Sequence, residues 1–257
     1  MNAVAPGAED HVCVIAALPN DKRVWAKSIH ARLTRGSHHL IVDRRPANAT
    51  LSDAPATCSP TMGGDATRLI IAQQSDTRLD MPARTGLPLE AHQAIFLQLH
   101  YINNTSKPAD IAGTVELELL DLSAGAPIEV QSLFAGSTNF SIPRHASGMA
   151  EFFYLPAASA SRRMQAFAVT SHTHSLGVNA TIERVSSASA ATTAPIHESN
   201  SWEEPPLTRF DPALVFEGKD GLRLRCRFQN DTDRDVSFGT RFEDEMCFMW
   251  LYYYVEP

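Results

Sequence analysis

The chain has 257 residues, 44% of them hydrophobic, and a formal net charge of −7. That is enough apolar material for one large domain or two of moderate size. Its 22 basic residues form no stripe, which argues against nucleic acid as a partner, and no apolar run approaches the ~20 residues that a membrane-spanning helix needs.

Short apolar or alternating runs follow one another, each bounded by Gly, Pro, Asn, Asp or Ser. The first, HVCVIAAL (11–18), follows Glu9 and Asp10 instead of a basic segment, so it reads as a strand and no signal peptide is visible. SIHARLTR (28–35), HHLIVDR (38–44) and AIFLQLHYIN (94–103) come next. GTVELELLDL (113–122) alternates cleanly, with Val115, Leu117 and Leu119 on one face of a half-buried antiparallel strand. The stretch SAGAPIEV (123–130) then marks a boundary, dividing the chain into domains of ordinary size at 1–124 and 125–257. The second half continues with AEFFYL (150–155), MQAFAVTSHTHSL (164–176), NATIERV (179–185), GLRLRCRF (221–228) and CFMWLYYYV (247–255). Between them, the small, polar, Pro-containing stretch 186–206 predicts a long surface loop. Helical periodicity is nearly absent, so the pattern predicts an all-β protein made of sandwiches.

Cys13 and Cys58 lie in the first quarter of the chain, and Cys226 and Cys247 near its end. Neither pair has CxxC spacing, which argues against a zinc ribbon. One disulfide in each half is the economical reading and implies an oxidising compartment. Four buried thiols in a reducing compartment are the alternative.

The chain contains ten histidines, several of them in suggestive places. His172 and His174 are two apart in an apolar run, and on a strand residues i and i+2 share a face, where two imidazoles can chelate one metal. A surface strand that happens to carry two histidines fits the same pattern. His38 and His39 are adjacent, so joint ligation requires a strand end or a bulge, and Gly36 just upstream favours one. His100 follows Gln98 on the same strand face. Met246 sits beside Asp244 and Glu245. Two imidazoles and a thioether would favour copper, as Cu(I), over zinc, whereas an all-imidazole set suits copper or zinc.

In this order, SHHLIVD (37–43), LQLHY (97–101), SHTHSLG (171–177) and DEMCFMWLYYY (244–254) resemble the copper type II, ascorbate-dependent monooxygenases, the family of the peptidylglycine α-hydroxylating and dopamine β-type enzymes. The likeness extends from about HVCVIAALP to the last strand and suggests a short, bacterial member. It implies two jelly-roll-like antiparallel β-sandwich domains facing across a cleft. It also implies two copper ions per chain. His38, His39 and His100 would hold the electron-transfer copper of the first domain, and His172, His174 and Met246 the oxygen-binding copper of the second. It pairs Cys13 with Cys58 and Cys226 with Cys247. Gln98 occupies the position of a glutamine proposed to help electrons pass between coppers; an ordinary satisfied amide is the plain alternative.

The implied activity is hydroxylation of a substrate C–H bond with O2, two electrons being drawn from a reductant such as ascorbate. The implied location is outside the cytoplasm, secreted or periplasmic. The substrate shell departs from the peptide-amidating members. Thr170 stands where they carry an arginine that grips the substrate carboxylate, and Phe248 and Trp250 stand where they carry asparagine and tyrosine. A carboxylate would lose its bidentate partner, so the expected substrate is a small molecule or a peptide-derived group other than peptidylglycine. Phe248 and Trp250 alternate on one strand, lining either an apolar pocket or the sandwich core. Asp244 and Glu245 are candidates to orient an imidazole from behind. The alternative function is a non-catalytic copper-binding or copper-sensing protein.

Overall fold

The computed structural model describes residues 4–58, 66–103, 105–122, 125–155 and 163–256. Residues 123 and 124, where the sequence places the domain boundary, lie outside the described residues. The protein is all-β, with no α-helix among the described residues and none long and apolar enough to cross a membrane. It divides into two compact units, residues 1–132 and 133–257.

In the first unit, β1 (Glu9–Ala17), β3 (Ser37–Arg44), β4 (Ser52–Thr57), β5 (Thr67–Ala72) and β8 (Ala94–Ile102) form a five-stranded sheet in the order β4-β1-β8-β3-β5. A second sheet centres on β2 (Val24–Leu33), with β9 (Gly113–Leu119) on one edge and β6 (Asp76–Asp80) and β7 (Thr85–Leu89) along the other. Period-2 patterning decides which side of each strand is core. Leu40 and Val42 of β3 and Leu99 of β8 are buried on one face, as are Ile29 and Ala31 of β2. The opposite face of the five-stranded sheet carries the odd residues of β1 and β3 and the even residues of β8, which the register aligns in rows.

In the second unit, β12 (Ala146–Tyr154), β17 (Gly221–Asn230), β14 (Gly177–Val185) and β15 (Pro195–Ser199) form one sheet in that order. The other contains β16 (Thr208–Phe216), β13 (Met164–His172) and β19 (Cys247–Val255), joined by the later residues of β10 (Ile128–Ser137). A two-stranded pair, β11 (Ser141–Ile142) with β18 (Val236–Ser237), completes the unit. The two larger sheets share a core that includes Val169, Ile182, Phe216, Leu224, Phe228, Met249 and Leu251. The Cys226–Cys247 disulfide crosses that core from β17 to β19, and Cys13–Cys58 ties β1 to the residue after β4.

The stretch 186–206 is exposed over most of its length, as expected of a surface loop, but it contains β15, an edge strand on β14. Its Pro195 takes the first strand position, where no ladder hydrogen bond is lost. The preceding segment is anchored by Arg223, which is buried in an ion pair with Glu183 and donates to the carbonyl oxygens of Ala188, Ala190 and Ala191. A cluster of backbone acceptors around one buried guanidinium anchors the main chain of a segment whose side chains stay largely exposed.

Candidate metal centres

In the first unit, three histidines lie in one row across adjacent strands: His11 of β1 opposite His100 of β8, and His100 opposite His39 of β3. Directly opposed side chains on neighbouring strands are ~5 Å apart, the spacing needed for rings to meet over one point. His38 joins them through a local distortion. The pairing passes from Ser37↔Tyr101 to His39↔His100, so one extra residue is accommodated in β3. Such a bulge lets consecutive side chains turn to one side. Gly36 precedes it with φ +92°, a conformation that glycine adopts without strain.

The rings of His38, His39 and His100 are mutually 5.0, 5.2 and 5.1 Å apart between centroids. Three imidazoles on one ion, with metal–nitrogen bonds of ~2.0 Å, place their centroids about 5 Å apart. The ring spacing of this triangle is thus that of three imidazoles around one ion, while the ligand nitrogens of this unit that lie within 4.8 Å of one another are those of His11, His39 and His100. The His100 Nε2 lies 2.9 Å from Glu9 Oε1. A carboxylate accepts, so Nε2 carries the hydrogen and Nδ1 carries the lone pair that a metal would take. Gln98, in the next row, is buried, and its amide donates toward the sulfurs of Cys13 and Cys58 at 3.7 and 3.9 Å.

In the second unit, His172 is the last residue of β13, while His174 lies beyond the strand in the turn to β14. The two do not share one strand face as alternation predicted; the strand has already ended between them. The turn is closed by the Gly177 N–H donating to His174 O at 3.0 Å, and a Cβ at Gly177 would run into the side chain of Thr173. The His172 and His174 rings are 5.2 Å apart and perpendicular. The His174 Nδ1–H donates to the carbonyl oxygen of Asp244 at 3.0 Å, which makes Nε2 the lone-pair nitrogen.

Glu245 is fully buried and joins this turn to the segment that bears Met246. Its Oε2 accepts from the backbone N–H of His174 at 2.9 Å and of Met246 at 3.1 Å, and its Oε1 accepts from Leu176 N–H at 2.7 Å. Burial pushes its carboxyl up to about 7, against the opposing pull of these backbone donors. Of the two acidic neighbours, Asp244 thus orients His174 through its backbone carbonyl, and Glu245 acts through its side chain. Met246 itself is half-buried, immediately before β19.

Thr170 and His172 pair with Trp250 and Phe248, so all four point to one face of the sheet. Cys247, Met249 and Leu251 point the other way, into the core. Phe248 and Trp250 therefore share the face that bears His172 and lie outside the core cluster of Cys247, Met249 and Leu251, yet both are buried. Their rings pack on Phe134 at 4.5 and 4.1 Å. Behind the same strand, Ser171 Oγ meets His197 Nε2 at 2.9 Å, and His197 Nδ1 meets Thr208 Oγ1 at 2.8 Å. Burial drives the His197 imidazole down to about 4, so it is neutral at physiological pH.

Sequence reasoning missed His11, Glu9 and His197. Their partners lie 89, 91 and 26 residues away, and only strand register brings them together. The one local signal was the alternation of Glu9, His11 and Cys13 on a single strand face.

The family model described as copper type II ascorbate-dependent monooxygenase, C-terminal domain, matches residues 133–257.

Proposed function

Through this C-terminal domain the chain belongs to the copper type II ascorbate-dependent monooxygenase family, and on that premise we propose that it hydroxylates a C–H bond of a small, largely apolar substrate, using two copper ions, O2 and ascorbate. His38, His39 and His100 would hold the copper of the first unit. His172, His174 and Met246 would hold that of the second. Bound copper supplies the one-electron redox chemistry that O2 reduction requires.

The chain's own residues supply position and access. Glu9 fixes the tautomer of His100, and the Asp244 carbonyl fixes that of His174. The thioether of Met246 is a soft, weak donor suited to the reduced ion, and Glu245 holds its backbone beside that of His174. The observation that carries the reading is this bridge, because it ties together the two segments from which a His2Met donor set must be drawn. Gln98, packed on the disulfide one row below His100, is proposed as part of the route for electrons.

The substrate class follows from the face that bears His172. Phe248, Trp250 and Phe134 make that face aromatic, and with Thr170 they leave no cation for a carboxylate; Thr170, Phe248 and Trp250 are themselves buried, so they would back a binding site as its apolar floor. An aromatic or aliphatic group is favoured there over peptidylglycine. The two disulfides support an extracytoplasmic location.

The test is ascorbate-dependent O2 consumption by the copper-loaded protein, above that of free copper, with product analysis across aromatic, aliphatic and carboxylate-bearing substrates. A hydroxylated apolar product supports the reading. Tight binding of two coppers without turnover on any substrate would favour a copper-binding or copper-sensing role. Failure to retain copper after reconstitution would sink both.

A further inference from the structure

We propose that His11 is a fourth metal-binding imidazole at the copper site of the first unit, joining His38, His39 and His100. The inference rests on the reading that this unit holds copper, and it adds a ligand that the family resemblance does not assign.

Three observations carry it. First, among the described residues of this unit, the group whose ligand nitrogens all lie within 4.8 Å of one another is His11, His39 and His100. Second, the backbone register makes the arrangement a property of the sheet: His11, His100 and His39 occupy one row across β1, β8 and β3. Third, the His11 ring lies 3.9 Å from that of His100 and nearly parallel to it, at 12°, and 6.4 Å from that of His39. His11 is almost buried, so its imidazole is already withdrawn from solvent beside the other donors.

A parallel stack directs two lone pairs side by side. Joining a common ion requires the His11 ring to tilt out of the stack, a rotation about χ2, which is a broad torsion in histidine. Glu9 keeps His100 in its tautomer from the same strand, so the movement falls to His11. Four imidazoles form a set of nitrogen donors that favours Cu(II) over Cu(I) more strongly than three do. His11 would thereby lower the reduction potential of the first copper.

The test uses the full chain carrying His172→Ala, so that copper is confined to the first site, with His11 intact, His11→Ala or His11→Phe. His11→Phe keeps a ring on His100 but cannot ligate. Imidazole nitrogens around Cu(II) are counted by pulsed electron paramagnetic resonance and X-ray absorption. Cu(I) and Cu(II) affinities are measured by chelator competition, and folding by circular dichroism. The expected result is four imidazoles with His11 present and three in both variants. Cu(II) affinity should fall about tenfold or more, with a smaller change for Cu(I) and a raised reduction potential. Three imidazoles in all forms, with equal affinities, would overturn the proposal and leave the copper reading standing. A loss in His11→Ala that His11→Phe restores would also overturn it, assigning His11 to stacking. If copper fails to bind while His11 is intact, the copper reading itself falls.

Discussion

His174 and Met246 hang from the same oxygen: Oε2 of Glu245 accepts the backbone N–H of both, at 2.9 and 3.1 Å. A third donor, Leu176 N–H, binds the other oxygen. Glu245→Ala would leave these buried N–H groups without their acceptor, at a cost of about 2–4 kcal/mol. Glu245→Gln keeps one acceptor oxygen and should cost less. Urea unfolding checks the stability order. Copper titration should show the second site weakened in both variants and the first unchanged.

Met246→Ile removes the thioether while keeping an apolar side chain of similar volume at a half-buried position. The copper of the first unit should be retained and ascorbate-dependent hydroxylation lost. Copper content and product formation read the two effects separately. Hydroxylation at the wild-type rate would remove Met246 from the ligand set.

The Cys226–Cys247 bridge spans 21 residues and ends beside Met246. Replacing both cysteines with alanine should lower stability by about 3 kcal/mol, chiefly by freeing the unfolded chain. The same variant should bind copper less tightly at the second site, because β19 is no longer tied to β17. Denaturant unfolding and copper competition measure the two losses.

His197 gives the second unit a defined acid sensitivity. Its folded-state value, about 4, lies below the ordinary 6.5, so the unfolded chain binds the extra proton first. Its contribution is complete above pH 6.5 and is lost as pH falls from there toward 4, by up to about 3 kcal/mol. His197→Gln, which can still meet Ser171 and Thr208, should flatten that part of the stability curve. Unfolding free energies at pH 7, 5.5 and 4.5 decide it. An unchanged slope would mean that His197 titrates normally.

The all-β class was legible because β3, β8, β13 and β19 announce themselves as apolar runs bounded by turn residues. Gly36 likewise signalled the distortion that brings His38 beside His39. What remained hidden depends on register. Nothing near residue 11 says that it faces residue 100, and nothing in Pro195–Ser199 outweighs its polar surroundings until His197 is seen bonded to Ser171 and Thr208. The HTH spacing misled for a different reason. It presumes a continuing strand, whereas Thr173 and Gly177 build a turn there. The aromatic pair on β19 was ambiguous because strand parity separates two faces without saying which is core. The Cys226–Cys247 bond resolves it by drawing the odd residues inward.

The distortion at Ser37–His39 makes the first site sensitive to chain length as well as to residue identity. Deleting Ser37 alone would touch no candidate ligand, yet it would remove the residue that the bulge accommodates and restore strict alternation through His38 and His39. One imidazole would then swing to the far side of the sheet, among Leu40 and Leu99, while β3 could still pair along its remaining length. A chain of this kind would keep its fold and all ten histidines and still lose the triangle. A search for functional relatives that counts histidines without counting the residues between them would accept it wrongly.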